Sequence, residues 1–397
     1  MKKNISKINI YEIDAGWRNW FYLEIVAKNG LKGYSEIAES NGPKGALSDI
    51  TFNLLKNIDL SDFSKFNSIT RNIDSLNKQG IGGTVAKCRS AISNALLDLV
   101  AKDKELSVTN YFGGALRDQI NTYWSHCATT RLRTLKYLDK STKSINTIED
   151  FVELGKEVTE AGFNTLKTNL ISLNPLEVVM PSYKGKDIIG INDLDKIIED
   201  TLTIVKALNN ENKNKILLDV GYNLTNSSLI TFADTINSLD IGWLEVDFDH
   251  LDNLQAVKEL INVPICSGEN YTSYSDYIKL VNSGVAEIIS IDPSWNSLKN
   301  ILEISSYANL NNQEITLHNH YSNLSTYIAL NIGQLIDKFS YMEIDVDDVP
   351  WKNELIELPD IKDGKFMFEN NKPGWGFEMN TDMLNEKLID TYTLEIS

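Results

Sequence analysis

Between Lys215 and Asp345 the chain reads KILLDVG (215–221), IGWLEVD (241–247), VPICSGE (263–269), EIISID (287–292), EITLH (314–318) and FSYMEID (339–345). Each run is short and apolar, and each carries a polar residue at or near its C-terminal end: Asp219, Glu245, Glu269, Asp292, His318 and Glu343. These positions follow one another at 26, 24, 23, 26 and 25 residues, with helix-like stretches between them. Strands alternating with helices at a near-constant step are βα units of a parallel sheet. INTYWSH (120–126) and NTLKTNL (164–170), the second containing Lys167, bring the runs to eight; the longer interval of 52 from Lys167 to Asp219 holds an extra loop around PSYKGKDIIG (181–190). Eight such runs predict an α/β barrel of the TIM type over residues 119–345, whose active site forms at the C-terminal ends of the strands. One acid at a strand end is usually a helix cap or a solvent contact, but acids in register along one rim share a destination.

Outward from the barrel, INIYEIDAG (8–16), WFYLEIVA (20–27) and GYSEIA (33–38) alternate apolar and polar positions. They predict a three-stranded antiparallel meander, with Asn29-Gly30 supplying the positive-φ positions of a tight turn. From Thr84 to Lys102, residues Val85, Cys88, Ala91, Ile92, Ala95, Leu96 and Leu99 recur at three- and four-residue steps, one face of a helix. Residues 1–118 therefore read as an α+β unit. Residues 346–397, rich in Pro and Gly at first and without helical period, read as a tail packing back on that unit.

At 397 residues, 42% hydrophobic and 23% charged, the chain has the composition of a globular enzyme and not of a disordered or coiled-coil protein. Its formal charge of −17 would repel nucleic acid and anionic membrane surfaces, so neither is expected as a partner. Cys88, Cys127 and Cys266 are too few and too scattered for a disulfide framework or a zinc site, which points to a reducing, cytoplasmic compartment. No apolar run reaches the length of a membrane span.

Asp219, Glu245 and Glu269 end three successive strands, so their carboxylates are expected within a few ångströms of one another. Three such anions call for a cation. All-oxygen ligands favour a hard divalent ion, and Mg²⁺, which keeps positions open for substrate oxygens, suits catalysis better than Ca²⁺. Asp292 and His318 end the next two strands and form a candidate dyad in which the carboxylate orients the imidazole and raises its basicity. His318 is preferred to His320 because it ends the strand directly. Lys167 is expected to face the metal from across the barrel, since a buried lysine needs an anionic partner.

SAISNALLDLVAKD (90–103), FGGALRDQI (112–120), GFNTLKTN (162–169), LDVGYN (218–223), WLEVDFD (243–249), PICSGE (264–269), IDPSWN (291–296), LHNHYSNL (317–324) and PGWG (373–376) together resemble the mandelate racemase subgroup of the enolase superfamily, over nearly the whole chain. The resemblance implies a (β/α)7β barrel with a capping domain made from both chain ends. It implies one Mg²⁺ per subunit on Asp219, Glu245 and Glu269, a His318–Asp292 dyad, and Glu343 as an acid facing the substrate carboxylate. It also implies specificity loops at Ala15 to Arg18 and near Asn41 to Lys44, and a homo-oligomer, dimer or octamer.

One departure decides the expected reaction. Where the racemase pattern has Lys-x-Lys, with the second lysine as the base opposite histidine, this chain has Lys167-Thr168-Asn169. A 1,1-proton transfer needs a base on each face. Dehydration needs one base at C2 and an acid for the 3-hydroxyl, and His318 can serve as both, with Lys167 an electrostatic aid. The expected activity is a dehydratase converting a sugar acid, aldonate or aldarate, to a 2-keto-3-deoxy acid. The alternatives are a racemase or epimerase using Lys167 as second base, and a non-catalytic sugar-acid-binding homologue. Asn169, Trp17, Arg18, His126, Tyr222 and Asn223 are the expected substrate contacts.

Overall fold

Apolar alternation in the first forty positions produces β1 (Ile5–Asp14), β2 (Asn19–Ala27) and β3 (Lys32–Glu36), an antiparallel meander with Ile10 opposite Leu23 and Ile25 opposite Gly33. The computed structural model describes residues 4–37, 44–56, 58–76, 82–173, 176–178, 191–211, 213–221, 232–247 and 251–396. Of the Asn29-Gly30 pair only Gly30 has a positive φ, +88°, so the turn uses one left-handed position where the sequence suggests two. Asn29 instead accepts a hydrogen bond from the Leu31 amide at 3.2 Å. The expected helix spans Gly83–Asp103 and buries Cys88, Ala91, Ile92, Ala95, Leu96 and Leu99. It crosses so close to β3 that a Cβ on Gly33 would lie 2.1 Å from the Ala95 carbonyl oxygen, which excludes any larger residue there.

The barrel strands are β4 (Gln119–Ser125) and β5 (Thr165–Asn169); then, after the hairpin of β6 (Ile171–Leu173) with β7 (Leu176–Val178), β8 (Lys215–Gly221), β9 (Ile241–Val246), β10 (Ile265–Ser267), β11 (Ile288–Ile291), β12 (Glu314–Leu317) and β13 (Phe339–Asp345). All eight pair in parallel, and β13 pairs with β4 to close the ring. The hairpin falls in the long interval after Lys167, where the sequence marks only a loop; PSYKGKDIIG itself lies outside the described residues.

Side chains two apart on a strand share a face, which divides the barrel interior into layers. Tyr123, Leu217, Trp243, Cys266 and Ile288 form a buried apolar layer with Tyr341 against it. The rings of Tyr123, Trp243 and Tyr341 meet edge to face at 5.6, 5.7 and 6.0 Å, each such pair worth about 0.5–1.5 kcal/mol beyond its burial. Two residues further along the same strands stand Ser125, Asp219, Glu245 and Glu343. The aromatic layer is thus the floor on which the polar rim rests.

The tail contributes β14 (Ile361–Lys362) and β15 (Lys365–Met367), with β15 antiparallel to β4, and β16 (Leu388–Glu395), which pairs with β1 and gives the cap sheet the order β16-β1-β2-β3. PGWG has a mechanical role. Asp98, on the long cap helix, accepts hydrogen bonds from the amides of Tyr34 (2.8 Å) and Trp375 (2.9 Å), while the Trp375 indole donates to the Tyr34 carbonyl at 3.1 Å. Gly374 has φ +75° and no room for a Cβ, which would fall 2.1 Å from Asp98 Oδ1. From the same helix, Asn94 donates to the Pro293 carbonyl (3.1 Å) and accepts from Leu298 (3.3 Å), tying the cap to the loop after β11.

Candidate active site

His318 follows β12 and Asp292 follows β11, and the two meet as neighbouring strand ends: His318 Nδ1 is 2.8 Å from Asp292 Oδ2. A carboxylate only accepts, so Nδ1 carries the proton and Nε2 is the nitrogen turned toward the barrel mouth. Asp292 is itself held by the amides of Ser294 (2.7 Å) and Trp295 (2.9 Å) and by the Tyr321 hydroxyl (2.8 Å). Nε2 lies 3.4 Å from Glu269, 3.7 Å from Glu343 and 3.1 Å from His320 Nδ1. Burial alone would lower the His318 pKa, but Glu269, Glu343 and the Asp292 bond outweigh it and carry it up to about 10. His320, which the sequence places outside the dyad, is therefore in contact with the dyad's open nitrogen.

Across the mouth, Lys167 on β5 is 1% exposed, with its ammonium 2.7 Å from Glu245, 2.9 Å from Glu343 and 3.8 Å from Asp219. Burial opposes its charge, yet Glu245 and Glu343 reverse that and push its pKa well up. Asn169 donates to Asp219 Oδ2 at 2.9 Å and accepts from Thr129 at 3.0 Å. An amide thus stands where a second lysine would, and it orients an acid. Glu343 also accepts from the Ser125 hydroxyl and from the Asn319 amide (3.0 Å). Burial would raise its pKa, but Lys167 and His318 pull it below the usual carboxylate range.

Burial raises Asp219 to about 7, Lys167 offsetting part of the rise and Glu245 adding to it. Glu269 is raised well above its usual range by burial, against His318 and with Glu245, Asp247 and Asp219 adding repulsion. Among the described residues no three His, Cys, Asp or Glu side chains stand close enough to make a ready metal-ligand set; Lys167 lies between Glu245 and Asp219. In kind the donors suit a hard divalent cation: Asp219, Glu245 and Glu269 offer carboxylate oxygens on adjacent strands, and a cation would relieve the mutual repulsion that adds to burial in raising Asp219 and Glu269.

The other expected contacts divide between the joint of cap and barrel and the mouth. Trp17 donates to Asp348 at 3.2 Å, and Arg18, 6% exposed, is ion-paired with Asp348 and lies 4.0 Å from Asp345, at the joint between cap and barrel. His126, with φ +49°, is 3.9 Å from both Glu343 and Asp345 and 5.2 Å from the His320 ring; burial lowers it to about 3. Tyr222, Asn223 and Asn41 to Pro43 lie outside the described residues. Sequence reasoning passed over Asp247, which accepts from Ser267 (3.0 Å), the Gly268 amide (3.1 Å) and Asn270 (3.0 Å), and so pins the turn bearing Glu269. The only sign of it was a second acid two residues after Glu245.

Residues 150–383 match the family described as enolase C-terminal domain-like. The chain belongs to that family. Within the enolase superfamily, it is 22% identical over 320 residues to a D-xylonate dehydratase of Haloferax volcanii, covering 79% of this chain and 72% of that one. It is 25% identical over 313 residues to a D-gluconate/D-galactonate dehydratase of Picrophilus torridus, covering 76% and 70%. A Burkholderia xenovorans structure assigned as an L-alanine-DL-glutamate epimerase, bound to magnesium and fumarate, superposes with a TM-score of 0.89 at 24% identity, covering 97% of this chain and 96% of that one. A mandelate racemase/muconate lactonizing enzyme-like protein of Rubrobacter xylanophilus gives 0.83 at 20%, covering 98% of each. These likenesses establish the enolase-superfamily fold, a closed parallel barrel under an antiparallel cap. Among the described residues no helix is long and apolar enough to cross a membrane.

Proposed function

We propose that this enolase-superfamily chain is a Mg²⁺-dependent dehydratase of a sugar acid. The observation that carries the reading is the asymmetry of the mouth: an oriented imidazole nitrogen on one side, and on the other a lysine bonded to Glu245 and Glu343 beside an amide, Asn169, bonded to Asp219. When bound by Asp219, Glu245 and Glu269, Mg²⁺ supplies charge stabilisation to the substrate carboxylate as its α-proton leaves. Once the charge of Glu269 and Glu343 that holds a proton on His318 is offset, Nε2 is free to take the C2 proton, its ring held by Asp292. The same nitrogen returns that proton to the 3-hydroxyl, which departs as water, and the enol tautomerises to a 2-keto-3-deoxy acid. Lys167 holds positive charge beside the carboxylate, and Glu343 donates nothing while it remains bonded to Lys167. The two dehydratase relatives support the reaction class.

Incubation with Mg²⁺ and a panel of aldonic and aldaric acids should give a keto product detectable by semicarbazide absorbance. Solvent deuterium exchange into the acid without any keto product would defeat the proposal. Loss of optical rotation without elimination would assign the epimerase alternative, with Lys167 as the second base.

A further inference from the structure

The Lys167 ammonium stands among the oxygens that would hold the metal. It is 2.7 Å from Glu245 Oε2 and 3.8 Å from Asp219 Oδ2, two of the three expected ligands, and 2.9 Å from Glu343 Oε1. Asn169 donates to that same Asp219 oxygen at 2.9 Å. The lysine backbone is held from both sides, by the Cys127 amide at 2.9 Å and by pairing opposite Leu217 on β8. Its ammonium lies 5.6 Å from the Tyr123 ring, which belongs to the aromatic floor. Sinking into that apolar layer would strip the charge of its partners, a far larger cost than remaining with the acids.

We infer that Lys167 is a built-in competitor of the metal ion: a tethered positive charge that holds the acid cluster together without metal and weakens its grip on Mg²⁺. The inference rests on Asp219, Glu245 and Glu269 as the Mg²⁺ ligands, and not on the dehydration. Without a divalent ion, the ammonium offsets carboxylates that would otherwise repel one another. When Glu245 turns to a metal ion, Glu343 is left to hold the lysine. Glu343 lies outside the expected ligand set and is itself anchored by the Ser125 hydroxyl and the Asn319 amide. The lysine charge therefore stays in the mouth and repels the incoming ion, twice as strongly for a divalent cation as for a monovalent one.

The test is calorimetric titration of the full-length, metal-free protein with magnesium chloride in the absence of substrate, with the thermal midpoint followed in parallel. Lys167→Gln and Lys167→Met, both neutral, should bind Mg²⁺ at least about tenfold more tightly than the unaltered chain, although both should melt earlier without metal. Lys167→Arg, which keeps the charge, should not tighten binding. A lysine that merely supported the site would give the opposite sign, because its loss would loosen the ligands and weaken the metal. Gln can still hydrogen-bond to Glu245 and Glu343, so it supplies a neutral variant even where Met does not fold. Neutral variants that bind no more tightly than the unaltered chain, or Lys167→Arg binding as tightly as they do, overturn the inference and leave the metal site and the dehydratase reading standing. Absence of Mg²⁺ binding from the unaltered chain and every variant overturns the metal site, and the inference with it.

Discussion

Two buried ionic clusters lie on either side of His126, and they differ in their charge balance. At the joint between cap and barrel, Arg18 and Lys352 face Asp345 and Asp348: Arg18 pairs with Asp348, Lys352 lies 3.9 Å from Asp348, and its ammonium donates to the Asp345 carbonyl at 2.8 Å. With Arg133 beside Asp345 and Glu36 facing Arg18 and Lys352, three cations meet three acids. In the mouth, Lys167 and His318 face Asp219, Glu245, Glu269, Asp292 and Glu343, an acidic excess that rests on the aromatic floor. A balanced cluster is complete within the chain and holds elements together. Burial shifts pKa values in both clusters, Asp345 in the joint included, but only the cluster with an acidic excess awaits charge from outside, which is the physical mark of a functional site.

The largest expected effect breaks the mouth without touching the joint. His318→Asn should lower turnover about 10²–10⁴-fold, the contribution of a positioned acid–base group, with an unchanged thermal midpoint. A turnover loss under tenfold would remove His318 from the chemistry. The converse is Asp348→Ala, which leaves Arg18 buried with its main partner gone. It should cost about 3–5 kcal/mol in urea unfolding, and a cost below about 1 kcal/mol would mean the joint is not holding the cap.

Mg²⁺ sharpens the contrast. At a hundred times its dissociation constant it should stabilise the folded chain by about 2.7 kcal/mol, seen as a rise in thermal midpoint that Asp219→Asn abolishes and Asp348→Ala does not. The smallest effect concerns pH. Burial, with Asp348 adding and Lys352 and Arg18 opposing, raises Asp345 to about 7, against about 3.9 unfolded. Between those values the unfolded chain releases a proton that the folded chain keeps, so stability should fall as pH rises from about 4 to 7. Asp345→Asn should flatten that slope in urea titrations across the window, and an unchanged slope would assign it to other groups.

The sequence carried the barrel because its signal is repetitive. Six runs from Lys215 to Asp345 place one polar residue each at nearly the same step, and a side-chain period of two then puts Asp219, Glu245 and Glu343 directly above Leu217, Trp243 and Tyr341. What escaped depends on partners remote in sequence. β16 reads as irregular tail until β1 lies beside it, and the β14–β15 hairpin acquires its pairing only from β4. Asp247, Tyr321 and His320 lie in motifs the sequence already singled out, but their roles come from contacts with Gly268, Asp292 and His318 that spacing does not encode. Arg18, expected as a substrate contact, has an ion pair with Asp348 that spans 330 positions, a separation that spacing does not encode.

One-sided proton transfer in the mouth is what separates elimination from epimerisation. Reaction of a single-enantiomer sugar acid with the Mg²⁺-loaded protein in D₂O, followed by proton NMR, tests it most directly. The expected product is a 2-keto-3-deoxy acid carrying one deuterium at C3, with the remaining substrate retaining its C2 configuration. Substrate recovered with deuterium and inverted configuration at C2, and no keto product, would contradict it.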